Sequence, residues 1–176
     1  MKIDVKNDLT QKYSKGTRII HWLSTLLIFV LFGLGLSMDG LEVAEKMDLL
    51  KPHAVLGLLI FVLTLIRSVM FFRSKRPSDI KTGSKINDKL VIWIHNAFYI
   101  LLLLISISGI ASMILGGYGD ALQTGDLSLV KAHEDIPPLK AHGAMAFFMM
   151  ALVVLHVIGV VKHYIFTKEN TLKRII

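Results

Sequence analysis

Four long apolar runs, at 19–37, 53–72, 90–115 and 141–166, limit what this chain can become. A membrane-crossing helix needs about 20 mostly apolar residues to traverse about 30 Å of hydrocarbon, and each run approaches or exceeds that length. The last two are somewhat long, which implies tilt or projection beyond the lipid. Short polar connections join the runs, and no repeat, low-complexity tract or flexible linker separates them. The expectation is an all-α membrane protein, a four-transmembrane-helix bundle forming a single domain over residues 1–176. Lysines precede the first run, as in a signal peptide. Its apolar stretch is too long for one, and Leu36-Ser37-Met38-Asp39 offers no small-x-small cleavage site, so it reads as a retained helix.

The formal charge of +7 invites a nucleic-acid reading, which the distribution of charge removes. The segment before the first run is net positive through Lys2, Lys6, Lys12, Lys15 and Arg18 against Asp4 and Asp8. The first loop is net negative (Asp39, Glu42, Glu45 and Asp48 against Lys46 and Lys51). The second is strongly positive, with Arg67, Arg73, Lys75, Arg76, Lys81, Lys85 and Lys89 against Asp79 and Asp88. The third loop is negative again, and the tail, with Lys162, Lys168, Lys173 and Arg174, is positive. Unbroken alternation is the positive-inside pattern of an even-numbered bundle, so both termini are expected in the cytoplasm and loops one and three in the periplasm. No nucleic-acid partner is expected.

Cysteine is absent, which excludes disulfides, thiolate-bound iron–sulfur clusters and haem attached through Cys-x-x-Cys-His. Histidine is abundant instead. Of the seven, His21, His53, His95, His142, His156 and His163 lie in or at the ends of the runs, where ionisable residues are costly and usually face the bundle interior. His142 and His156 are fourteen residues apart, which on one helix is about 21 Å of rise and about 40° short of four full turns. Both rings therefore leave the helix from nearly one stripe, one in each leaflet. In the expected topology His53 lies at the level of His142, and His21 at the level of His156. Two bis-histidine sites stacked across the bilayer suit two haems held by coordination alone, since two imidazoles fill both axial positions of the iron. His95 lies at a similar depth and rivals His21 as the partner of His156. The same histidines could serve a haem-free metal or proton transporter, although every Asp and Glu lies outside the apolar runs.

Other polar residues fit the two-site reading. Arg67, fourteen residues after His53, reaches the inner level and is a candidate partner for a haem propionate, or a snorkelling arginine at a helix end. Lys51 and Lys140 flank the outer histidines. His163, between Lys162 and Tyr164, reads as a residue of the cytoplasmic interface, or as a proton donor to a quinone carbonyl. Gly33, Gly35, Gly57, Gly109 and Ala111 permit close approach of helices or of a flat macrocycle.

Five stretches carry a resemblance: Ile20-His21-Trp22-Leu23-Ser24, Lys51-Pro52-His53-Ala54-Val55-Leu56-Gly57 with Leu65-Ile66-Arg67, His95-Asn96-Ala97-Phe98-Tyr99 with Ile107-Ser108-Gly109, Leu155-His156, and the closing run from Lys162-His163-Tyr164 to Lys173-Arg174. In this order they resemble the bacterial cytochrome b561 family, within a wider superfamily that includes the cytochrome b subunits of hydrogenases and formate dehydrogenases. The likeness runs from about residue 12 to the end of the chain. It implies a multi-pass protein of the bacterial inner membrane with two haem b, ligated by His21, His53, His142 and His156, and it favours His21 over His95. It also implies electron exchange with a quinone such as ubiquinone, and a periplasmic redox or lipid-binding partner. Some members of the family are associated with superoxide oxidation, and cytochrome b subunits anchor dehydrogenases. The run Lys140-Ala141-His142-Gly143 departs from the family, in which a bulky or aromatic residue precedes this histidine or Glu follows it.

The charge pattern sets a topology test. A green fluorescent protein fused after Ile176 should fluoresce, and alkaline phosphatase fused after Gly125 should be active; the reverse pattern would invert the assignment.

Overall fold

The computed structural model describes residues 7–73 and 77–176. Lys2, Asp4, Lys6, Lys75 and Arg76, which enter the charge pattern above, lie outside the described residues. The described chain is helical throughout its ordered elements. Helix α1 spans Lys15–Ser37, α2 Val43–Arg73, α3 Lys85–Leu115, the short α4 Tyr118–Thr124 and α5 Pro137–Thr167. Single 3₁₀ turns at Leu127–Leu129, His133–Asp135 and Thr171–Arg174 complete it. Four of the helices (α1, α2, α3 and α5) are long and apolar enough to cross a membrane.

Lipid offers no hydrogen bonds, so a spanning segment must satisfy its own backbone, and an α-helix does so. The hydroxyls inside the spans follow the same rule. Thr25 donates to the His21 carbonyl at 2.9 Å, Thr64 to Ile60 at 2.7 Å, Ser106 to Leu102 at 2.8 Å and Ser112 to Ser108 at 2.7 Å. Each is folded back on its own helix, four residues earlier. At the start of α1, the Ser14 hydroxyl accepts from the Thr17 amide at 3.2 Å and caps the first turn.

The helices run past the apolar runs that announce them. The apolar run begins at His53, whereas α2 begins ten residues earlier and passes through Pro52. Proline deletes one backbone bond; Pro52 is exposed at the end of the span, outside the stretch where that loss would be most costly. Likewise α5 starts at Pro137 and α3 at Lys85. A 31-residue helix is about 46 Å long, more than the hydrocarbon thickness, so the excess projects from the bilayer. At the end formed by the first and third loops, the outer end in the expected topology, that excess is packed. Met47 of α2, Tyr118 and Ala121 of α4, and Ile136 before α5 form a buried cluster, edged by Val43, Leu50, Met113 and Leu139. The third loop is thus a folded cap. Its turn at Gly117 has φ 75°, and a Cβ there would collide with the Leu129 carbonyl.

Inside the bilayer, α3 packs against α5 and α2, and α1 against α2. A second cluster of Leu101, Met149 and Leu152, bordered by Ile28, Phe98, Ile105 and Met145, joins α1, α3 and α5. Even the best-covered span, α3, has only 22% of its apolar window buried inside the protein. Lipid must cover the rest, since no soluble protein exposes apolar surface on that scale.

The two chain ends meet at one end of the bundle, as four spans require. Tyr13 donates its amide to the Arg174 carbonyl at 3.0 Å. Arg174, 3% exposed, donates to Gln11 at 3.2 Å and to Ser78 of the α2–α3 loop at 2.6 Å. Trp22 donates to the Ile175 carbonyl at 3.1 Å. Truncating Leu152, 1% exposed, to alanine should cost about 2–4 kcal/mol and lower the melting temperature in detergent. An unchanged melting temperature would mean that this cluster does not stabilise the bundle.

Candidate functional site

The histidines gather in two groups, one toward each end of the bundle. Toward the outer end, His53 of α2 faces His142 of α5, with ring centroids 6.0 Å apart. Both are half-buried. The His142 Nδ1 lies 2.9 Å from the Ile105 carbonyl and 3.2 Å from the Ser108 hydroxyl, both on α3. The carbonyl only accepts, so Nδ1 carries the proton and Nε2 keeps its lone pair. The His53 Nδ1 is buried without a hydrogen bond of good geometry, although the Leu31 backbone lies within interacting range. Of the small residues picked out in the sequence, Gly35 and Gly109 sit against these rings. A Cβ on Gly35 would stand 3.8 Å from His53 Cε1, and one on Gly109 would stand 3.1 Å from His142 Cε1. Gly33 and Gly57 have nothing within 4 Å.

Toward the inner end, His21 of α1, Arg67 of α2, and His95 and His156 on α3 and α5 come together. Arg67 Nη2 is 3.3 Å from His21 Nδ1, and its guanidinium lies 5.3 Å from the Tyr99 ring centre. Its Nε is buried with no partner. The His95 and His156 rings meet edge to face at 5.2 Å and 88°. Phe98 meets His156 in the same manner at 5.7 Å. His95 is the exposed member of the group, and its Nδ1 is 2.7 Å from the carbonyl of Val91 one turn back. His21 lies within electrostatic reach of both His95 and His156.

Two groups linked by one stripe of α5 are therefore present, and each contains the histidines that depth alone assigned to it. His163 joins neither. Its Nε2 is 3.0 Å from a Glu169 carboxylate oxygen beyond the end of α5. Glu169 also accepts from the Asn7 amide at 3.1 Å and from the Asn7 side chain at 2.7 Å, and Asn7 continues to Lys81. His133 is exposed in the outer cap. Ser108, the Ile105 carbonyl, Tyr99 and Glu169 are additions to the sequence reading. Ser108 and Tyr99 lie within quoted motifs, but nothing in the string gives the rotation of α3 that turns them inward.

Residues 12–176 match the sequence pattern of prokaryotic cytochrome b561. The chain belongs to the prokaryotic cytochrome b561 family. Cytochrome b561 homolog 2 of Escherichia coli (strain K12) is 27% identical over 180 aligned positions, covering 94% of this chain and 92% of that one. As a b561-family chain with four apolar spans, it is a prokaryotic membrane protein of electron transport, in a family whose members generally bind haem b.

The Glu169 knot makes a pH prediction. Partial burial would raise the carboxyl, but the bonds from Asn7 and His163 outweigh it and hold it below its ordinary 4.5. A carboxyl depressed by folding contributes stability above its unfolded value, lost as pH falls through the folded one. Hydrogen exchange over residues 7–13, corrected for its intrinsic pH dependence, should accelerate in that acidic window. Glu169→Gln should show the acceleration already at neutral pH. Equal protection at pH 7 and below pH 4 would show that the carboxylate does not hold the segment.

Proposed function

We propose that this chain carries two haem b, one between His53 and His142 and one between His21 and His156. Through them it would move electrons between a reactant on the periplasmic side and the quinone pool, with ubiquinone as the expected quinone. The facing pair His53–His142 carries the reading. A metal–imidazole bond of about 2 Å on each side, plus about 1 Å from each nitrogen to its ring centre, separates two trans imidazoles by about 6 Å. The observed 6.0 Å fits that requirement. His95 and His156, at 5.2 Å, stand closer than that spacing. This favours His21 as the partner of His156, with His95 as a packing neighbour.

A haem held by two of these histidines would supply one-electron transfer when bound. The protein supplies the rest. His142, its tautomer fixed at Nδ1, offers Nε2. Arg67 holds a buried donor, Nε, that has no acceptor among the described residues, and a propionate carboxylate fits that role. As long as Arg67 donates to His21 Nδ1, that ring has its proton on Nε2; turning Arg67 toward a carboxylate releases His21 to present Nε2 instead. On the cytoplasmic side, His163 and Glu169 form a protonatable pair able to hold a proton at His163 Nε2 for a quinone carbonyl. On the periplasmic side, exposed Lys51 and Lys140 each stand two residues before an outer histidine and would attract a small anion such as superoxide. The exposed acidic residues around them (Asp39, Glu42, Glu45, Asp120 and Asp126) support a second reading, in which a docked basic redox protein or dehydrogenase is the partner.

Purified protein should show a dithionite-reduced α-band of b-type haem at two haems per chain. Replacing His53 or His142 should remove one haem, and replacing His21 or His156 the other, whereas His95→Ala should keep both. A folded chain without pigment would sink the proposal, and loss of a haem in His95→Ala would reassign the inner ligand.

A further inference from the structure

We propose that α3 carries a shelf for the His142 imidazole, built from the Ile105 carbonyl, the Ser108 hydroxyl and the bare Cα of Gly109, which positions the ring and strengthens it as a donor. The inference rests on the reading of His142 as a haem ligand.

Three contacts define the shelf. Ser108 donates its hydroxyl proton to the Ile105 carbonyl at 2.8 Å. That leaves the Ser108 oxygen only lone pairs to offer His142 Nδ1 at 3.2 Å. The Ile105 carbonyl, 2.9 Å from the same nitrogen, can also only accept. Both contacts therefore demand a proton on Nδ1, and both leave Nε2 free. An imidazole that donates its second N–H becomes a more basic ligand with a fixed orientation. Ser108 is 9% exposed, so water does not compete strongly for these contacts.

Gly109 makes the approach possible. A Cβ there would stand 3.1 Å from His142 Cε1 and 3.3 Å from Nδ1, tight enough that the ring would have to yield by a few tenths of an ångström. Such a shift moves Nδ1 away from its acceptors on α3. The opposite ring has no counterpart of the shelf: a Cβ on Gly35 would meet His53 at an ordinary 3.8 Å, and His53 Nδ1 has no well-formed bond. The outer site thus pairs an imidazole held on a shelf with one that has only the Leu31 backbone within reach. Stronger donation to iron favours its oxidised state, so hydrogen bonding around the ligand sets the potential.

The test uses purified holoprotein, with redox titration at the α-band and electron paramagnetic resonance of the ferric form. Ser108→Ala should retain both haems, raise one midpoint potential while the other stays, and shift the low-spin resonance of the same haem. Gly109→Ala should act on that haem alone, through its potential or its occupancy. Gly33→Ala, with open space around its Cβ, should move neither. Wild-type potentials and resonances in both Ser108→Ala and Gly109→Ala, or two potentials moving together in Ser108→Ala, overturn the proposal. Wild-type protein that folds without haem would instead remove the ligand reading beneath it.

Discussion

Inside a bilayer there is no water to receive a proton or complete a hydrogen bond, so a polar atom must find its partner within the protein. Thr25, Thr64, Ser68, Ser106 and Ser112 meet that demand locally by returning to carbonyls on their own helix. Histidine and arginine cannot all do so. His142 reaches across to α3, His21 and Arg67 join α1 to α2, and three nitrogens, Nδ1 of His53 and the Nε atoms of Arg67 and Arg18, are left buried without a well-formed bond. Buried polar groups without a partner are costly, and those of His53 and Arg67 stand in the two histidine groups. The helix-to-helix contacts then bring those groups into register.

The four spans were legible because the length of an apolar run is a one-dimensional property. The pairing of the histidines by depth was legible for a related reason. A helix has a fixed rise, so His142 and His156 carry their own ruler, and the levels of His53 and of His21 and His95 follow from counting. Lateral contacts were not. Depth places His95 and His21 equally well beside His156, and the choice between them depends on how α1 and α3 are rotated and how far apart they stand. The edge-to-face contact of His95 and His156 is information of that kind. The same holds for Ser108, which reads as an ordinary hydroxyl until the phase of α3 turns it toward His142.

The ends of the helices escaped the sequence for a different reason. Apolar length marks where lipid begins, not where the helix does. The first turns of α2 are polar and interrupted by Pro52, so they resemble a loop; what keeps them helical is the packing of Met47 against Tyr118, Ala121 and Ile136 from a loop some seventy residues later. At the other end, the knot of Asn7, Lys81, His163 and Glu169 joins three segments distant in sequence, and charge alternation places them only on one side of the membrane. In both places the decisive contact is tertiary, apolar at one end and polar at the other, and local periodicity carries no signal of it.

The two histidine groups differ in a way that suits different tasks. The outer pair is spare: two rings, one supported by α3, with exposed lysines close by in the chain. The inner group draws on all four spans and adds a guanidinium, an extra imidazole and two aromatic rings. A permanent cation beside an electron carrier stabilises its reduced form, and it does so more strongly where water is excluded. Arg67 is such a cation, half-buried at the inner group, and no arginine stands beside His53 or His142 among the described contacts. Within the proposed two-haem arrangement, Arg67 paired with a propionate cancels a carboxylate charge that would oppose reduction, which favours the reduced state toward the side where the chain ends meet. It is an electrostatic bias fixed by the sequence of α2 and independent of whichever molecule supplies the electrons.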